Sequence, residues 1–137
     1  MKTIYIFFIL FSPIIVFGQT PAKYSIVVQG EKWIADNQPD STLALAQNLL
    51  SQTNLDPFKR RQAFYLLGEV NSALGKSEEA IDLLQESIVL SQKNHDDPLL
   101  VWSLIAASRA MGDKENPSLD SVMFYLEGAK VLEVAIP

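Results

Sequence analysis

The sequence predicts an all-α fold, a solenoid of about three helix-turn-helix hairpins. Segments with apolar residues at helical spacing recur along the 137 residues. Their ends carry helix start and stop signals, with proline at or next to the first helical position and glycine at the end. The clearest starts are Asp56-Pro57, Asp97-Pro98 and Asn116-Pro117, and the clearest stops are Gly75 and Gly112. Both glycines are expected to end their helices in a left-handed conformation.

The N-terminal residues 1–18 predict a secretory signal peptide. Lys2 is its charged start, Ile4–Phe17 its apolar core, and Val16-Phe17-Gly18 a small-residue cleavage site. A membrane anchor is the alternative, but a spanning helix needs about 20 apolar residues, and this run is shorter and contains a proline. We therefore expect residues 19–137 to form the mature helical domain, periplasmic or secreted, with no stable membrane span.

The helix start and stop signals of the mature chain predict six helices. We predict them at 22–36, 39–53, 57–74, 77–93, 98–111 and 117–134. The first is the least clear, because Tyr24–Val28 is rich in β-branched residues that alone would suit a strand. No partner strand is evident elsewhere in the sequence. Six helices make three hairpins.

The hairpin over Phe64–Leu90 has the clearest pattern. Phe64, Leu67, Gly68 and Asn71 stand at the spacing W-x2-L-G-x2-Y, and Ala80 and Leu84 at the spacing A-x3-F. The small residues at positions 68 and 80 predict that the two helices cross closely there. At position 68 we expect leucine to overpack the crossing and alanine to be tolerated.

On these residues the chain resembles the tetratricopeptide repeat (TPR) family, most over 57–93 and less over 22–53 and 98–134. The resemblance implies a right-handed solenoid whose concave groove, lined by the first helix of each hairpin, binds a peptide or protein. The chain is also similar to exported TPR segments of bacterial membrane-bound sensor kinases and regulators. That similarity implies an alternative, a sensory or self-assembling module that is part of a larger signalling protein.

The candidate partner-binding residues are Gln62, Tyr65, Glu69, Trp102 and Arg109. The first three recur on one face of the third helix, and Arg109 comes from the next hairpin. Trp102 belongs to the groove in one register of the third hairpin and to the core in the other. Family members that clamp a terminal carboxylate have Lys and Asn at the positions of Tyr65 and Glu69, so that activity is not implied.

Composition narrows the functional classes. The formal net charge of -5 disfavours nucleic acid as a partner, because phosphate binding needs clustered basic residues. Cysteine is absent, and the single histidine, His95, has no nucleophile motif beside it. We therefore expect a non-enzymatic protein without cofactor or metal. The basic run Lys59-Arg60-Arg61 is either an anion-docking point or a solvated surface paired with acids.

The last predicted helix, 117–134, is more apolar than one buried face requires. Its apolar residues include Val122, Met123, Phe124, Leu126 and Val131. Exposed apolar surface of this kind marks an interface. The sequence therefore predicts self-association, or pairing with another chain, through this helix.

Overall fold

A computed structural model describes residues 23–135, with side chains through Val131. The described residues form six α-helices: α1 Ser25–Ala35, α2 Pro39–Leu50, α3 Pro57–Ala73, α4 Ser77–Lys93, α5 Asp97–Gly112 and α6 Leu119–Ala135. The predicted all-α solenoid is confirmed, and each predicted helix agrees with an observed one to within a helical turn. The predicted signal peptide at 1–18 lies outside the described residues and stays a prediction.

The helices form two rows of different spacing. Each helix packs against the next along the chain, and α1 also contacts α3, which contacts α5. In contrast, no close backbone approach within the described residues joins α2 to α4 or α4 to α6, although the side chains of Gln85 on α4 and Tyr125 on α6 are hydrogen-bonded. Because the row α1, α3, α5 is close-packed and the row α2, α4, α6 is spread apart, the stack curves toward the first row. The concave face is therefore lined by α1, α3 and α5.

Three of the turns between successive helices have the same conformation. Asn37, Gly75 and His95 all have left-handed backbone conformations, with φ of 60°, 79° and 54°. In each turn the next amide donates to the carbonyl five residues earlier, at 2.7, 2.9 and 2.9 Å, which satisfies the helix C-terminus. The prediction was right for Gly75 and wrong for Gly112. Gly112 ends α5 without a positive φ, because a longer connector, 113–118, removes the need for a tight turn.

The closest crossing of α3 and α4 is at Gly68. A Cβ added there would lie 2.6 Å from Cγ of Leu84 and 3.3 Å from the carbonyl oxygen of Ala80. The predicted close approach is confirmed. The expectation that alanine is tolerated at position 68 is wrong, because Leu84 is fully buried and its Cγ, unlike a side-chain tip, has little freedom to move.

A buried polar network joins the first, third and fifth helices near their N-terminal ends. Asp96, which precedes α5, caps that helix by accepting from the amide of Leu99 at 3.4 Å. Its carboxylate also accepts from the hydroxyl of Tyr24 at 2.6 Å and from Nε and Nη2 of Arg61 at 3.2 and 3.1 Å. Burial, with the hydrogen bond to Asp96 next, raises the pKa of the Tyr24 phenol.

Arg61 is paired with an acid, as the second interpretation of the basic run expects, but in a buried rather than a solvated position. It is buried and paired with Asp96, a residue 35 positions later in the chain. Lys59 stays exposed, as the solvated interpretation expected. A buried ion pair is costly to break, because removing one partner leaves the other charge uncompensated.

Candidate binding groove

Four polar side chains from three helices meet on the concave face. Glu31 comes from α1, Tyr65 and Glu69 from α3, and Arg109 from α5. Tyr65 and Glu69 are four residues apart, so they lie on the same face of their helix. We call these four residues the polar cluster and the concave face around them the groove.

Two interactions hold the polar cluster together. The Tyr65 hydroxyl donates to Oε1 of Glu31, which links α3 to α1. Nη2 of Arg109 donates to both carboxylate oxygens of Glu69, at 3.3 and 3.2 Å, which links α3 to α5. The Arg109 side chain is 57% exposed, whereas that of Glu69 is 11% exposed. The cluster is thus enclosed by the three helices and open to solvent on the side of the arginine.

The surroundings of the two carboxyl groups in the polar cluster disfavour their ionised forms. Burial, and secondly the charge of Glu69, raises the pKa of Glu31 to about 7. Burial also raises the pKa of Glu69, although Arg109 opposes the rise. The pKa of Tyr65 is well above its usual value for the same reason, so its hydroxyl is a donor at any physiological pH. When both acids are ionised, Arg109 neutralises only one of them.

Three of the five predicted site residues are brought together: Tyr65, Glu69 and Arg109. Tyr65 is 4% exposed and belongs to the core, so only its hydroxyl takes part in the polar cluster. Whether these residues bind a partner stays a prediction.

The other two, Gln62 and Trp102, lie outside the cluster. Gln62 is 1% exposed, accepts from the amide of Val27 and donates to the carbonyl of Lys23, each at 3.4 Å. It therefore joins α3 to the start of α1. Trp102 is 7% exposed and packs edge-on against the Tyr24 ring, with centroids 4.9 Å apart. Of the two alternatives for Trp102, the structure favours the core.

Glu31 is the member of the cluster that the sequence did not identify. Its helix is short and its β-branched residues obscure the helical periodicity. One signal was present: Glu31 is four residues after Val27, a position expected on the same face, and Val27 is fully buried. A charged residue in line with the buried face of a helix is a candidate for a specific role.

A second candidate surface is the outer face of α6, which carries exposed apolar side chains. Phe124, the most exposed of them, is 72% accessible. The others are Leu119, Met123, Leu126 and Val131. The charged residues Glu127 and Lys130 are exposed in the same stretch. Exposed apolar side chains gathered on one helix are a candidate interface.

Among the described residues, no helix is long and apolar enough to cross a membrane.

The chain is similar in part to two curated regulators. It is 35% identical over 81 residues to the HTH-type transcriptional regulator MalT of Vibrio campbellii, and 30% identical over 79 residues to the regulator of that name from Vibrio parahaemolyticus. Each match covers 57% of this chain but only 9% of the regulator. No protein-family model matches the chain, and no solved structure matches it.

Proposed function

We propose that the chain is a TPR-type, non-catalytic interaction scaffold that binds a peptide or protein segment in the groove. The polar cluster is the observation that supports this proposal most. It gathers one residue from α1, two from α3 and one from α5 on the concave face, so the site exists only when the hairpins are stacked. Polar groups that converge in a concave surface are the usual marks of a binding site.

Peptide selection followed by mapping tests the proposal. A random peptide library is displayed and selected on the protein, and the best peptide is titrated into isotope-labelled protein. We expect the amide chemical shifts that change to cluster on α1, α3 and α5, with α2 and α4 unaffected. Shifts confined to the outer row would contradict the proposal, as would a library that yields no specific binder.

A second candidate function is a sensory or self-assembling module that is part of a larger signalling protein. The similarity to the two HTH-type transcriptional regulators supports it, although the chain spans only 9% of their length. An antibody against the chain distinguishes the two functions in the native host. A single species much larger than 15.3 kDa supports the module, and a species at or below that mass supports the separate scaffold.

Export to the periplasm or the medium is part of the proposal and rests on the pattern of residues 1–18. Intact-mass measurement of the protein from an envelope or secreted fraction tests it. The proposal predicts a chain that begins at Gln19. A chain that retains residues 1–18 in the membrane would contradict it and favour an anchor.

A further inference from the structure

We propose that the groove selects partners by a cationic side chain, lysine or arginine, that binds between the carboxylates of Glu31 and Glu69. This inference rests on the proposed scaffold function and adds the chemistry of the partner. It follows from the charges of the polar cluster, from the unused hydrogen-bond acceptors of its acids and from its access to solvent.

The charges around Glu31 do not balance. The groups that face it are Glu69 and Tyr65 on α3 and Arg109 on α5, and Asp113 adds a further negative charge near the arginine. On its own helix, Lys32 points away into an ion pair with Asp36 at 2.6 Å. With both glutamates ionised, the polar cluster has two negative charges and one positive charge. It is complementary to one additional monovalent cation.

The two carboxylates also have spare acceptor positions. An ionised carboxylate has about four lone-pair sites. Glu31 accepts one hydrogen bond, from Tyr65, and Glu69 accepts two from Arg109 and also interacts with the Tyr65 hydroxyl. Among the described residues, Oε2 of Glu31 accepts none. An ammonium or guanidinium group offers several donors, which suits the positions that are left.

A cationic side chain can reach these positions from solvent. Glu31 is only partly buried, and the Arg109 side chain beside it is mostly exposed. Tyr65 is buried, and its hydroxyl orients Glu31 by donating a hydrogen bond to it. A lysine or arginine entering from the concave side would therefore meet preoriented acceptors, and such charge-assisted hydrogen bonds are the stronger class.

Two short peptides test the inference by titration of the whole protein. The first is acetyl-Ala-Ala-Lys-Ala-Ala-amide, and the second has Gln in place of Lys. We expect only the lysine peptide to shift the amides around Glu31 and Glu69. Its affinity should fall about ten-fold between pH 8 and pH 6, because the ionised fraction of a group with a pKa of about 7 falls by that factor.

A matched pair of variants completes the test. Glu31→Gln keeps an oxygen that can accept from Tyr65 but removes the charge. It should therefore weaken binding of the lysine peptide and abolish the pH dependence of that binding. Glu86→Gln removes the same charge from an exposed position on α4. It should change neither the affinity for the lysine peptide nor its pH dependence. Circular dichroism establishes that both variants are folded.

The contrary results are specific. Equal binding of the lysine and glutamine peptides would overturn the inference, and so would unchanged lysine binding by Glu31→Gln. If the peptides selected for the groove lack basic residues, the cation inference falls and the scaffold function stands. If no selected peptide perturbs α1, α3 or α5, the scaffold function itself falls.

Discussion

Replacement of Glu31 by glutamine should stabilise the free protein at neutral and alkaline pH. In the folded chain, burial and Glu69 raise the pKa of Glu31 from 4.5 to about 7. Glutamine has nearly the same shape, and its amide oxygen can still accept from Tyr65. The variant therefore avoids the cost of holding an ionised carboxylate next to Glu69 in a buried site.

The size and the sign of the effect follow from that pKa. A change from 4.5 to about 7 corresponds to about 3.5 kcal/mol at most, since one pKa unit is about 1.4 kcal/mol, and coupling to Glu69 makes this an upper figure. The folded state holds the Glu31 proton more tightly than the unfolded state. Its contribution to stability is therefore full below pH 4.5 and is lost as the pH rises through 7.

Urea unfolding of wild type and Glu31→Gln at pH 4.5 and pH 8 measures the difference. We expect nearly equal free energies of unfolding at the lower pH and a variant that is more stable by on the order of 2 to 3 kcal/mol at the higher pH. Glu86→Gln, an exposed control, should match wild type at both. A Glu31→Gln variant less stable than wild type at pH 8 would show that ionised Glu31 does not destabilise the folded protein.

Three further predictions concern the fold and its outer surface. Asp96→Ala should lower the free energy of unfolding by on the order of 3 to 5 kcal/mol, because Arg61 is left as an unpaired buried charge. Gly68→Ala should cost on the order of 1 to 3 kcal/mol, because the added methyl group overlaps Leu84. The protein should self-associate through the outer face of α6, and Phe124→Glu should shift it toward monomer in sedimentation velocity across a concentration series.

Each of these predictions has a contrary outcome, and the first also has a control. Urea unfolding of Asp97→Ala, an exposed neighbour, should show little change, and an equal loss in both aspartate variants would refute the buried network. A Gly68→Ala variant as stable as wild type would mean that α3 and α4 do not cross as observed.

For the outer face of α6, an antiparallel pair of helices can set Glu127 opposite Lys130 of a second copy, so the face is self-complementary in charge. A monomer at all concentrations would contradict the predicted self-association.

Local signals predicted the helices well because each signal acts within a few residues. Asp56 accepts from the amides of Phe58 and Lys59 at 2.7 and 3.2 Å, as a helix start of this kind should. The left-handed residues Asn37 and His95 were missed, since neither is glycine and nothing else in their turns requires a positive φ.

Contacts between distant helices were harder to predict. The partner of Arg61 lies 35 residues away, and Glu31 and Tyr65 are 34 residues apart. Periodicity predicts which face of a helix is buried, but it does not say which side chains meet across two helices. It indicated correctly that Tyr65 and Glu69 share a face. It did not separate Gln62, which reaches back to α1, from residues that face the groove.

The titration of Glu31 tests directly whether the groove holds a carboxylate that can bind a cation. Carboxyl carbon shifts of Glu31, assigned by comparison with Glu31→Gln, are followed from pH 4 to pH 9 with and without the lysine peptide. We expect a midpoint of about 7 in the free protein and a clearly lower midpoint when the peptide is bound. A free midpoint near the ordinary value of 4.5, unmoved by the peptide, would contradict it.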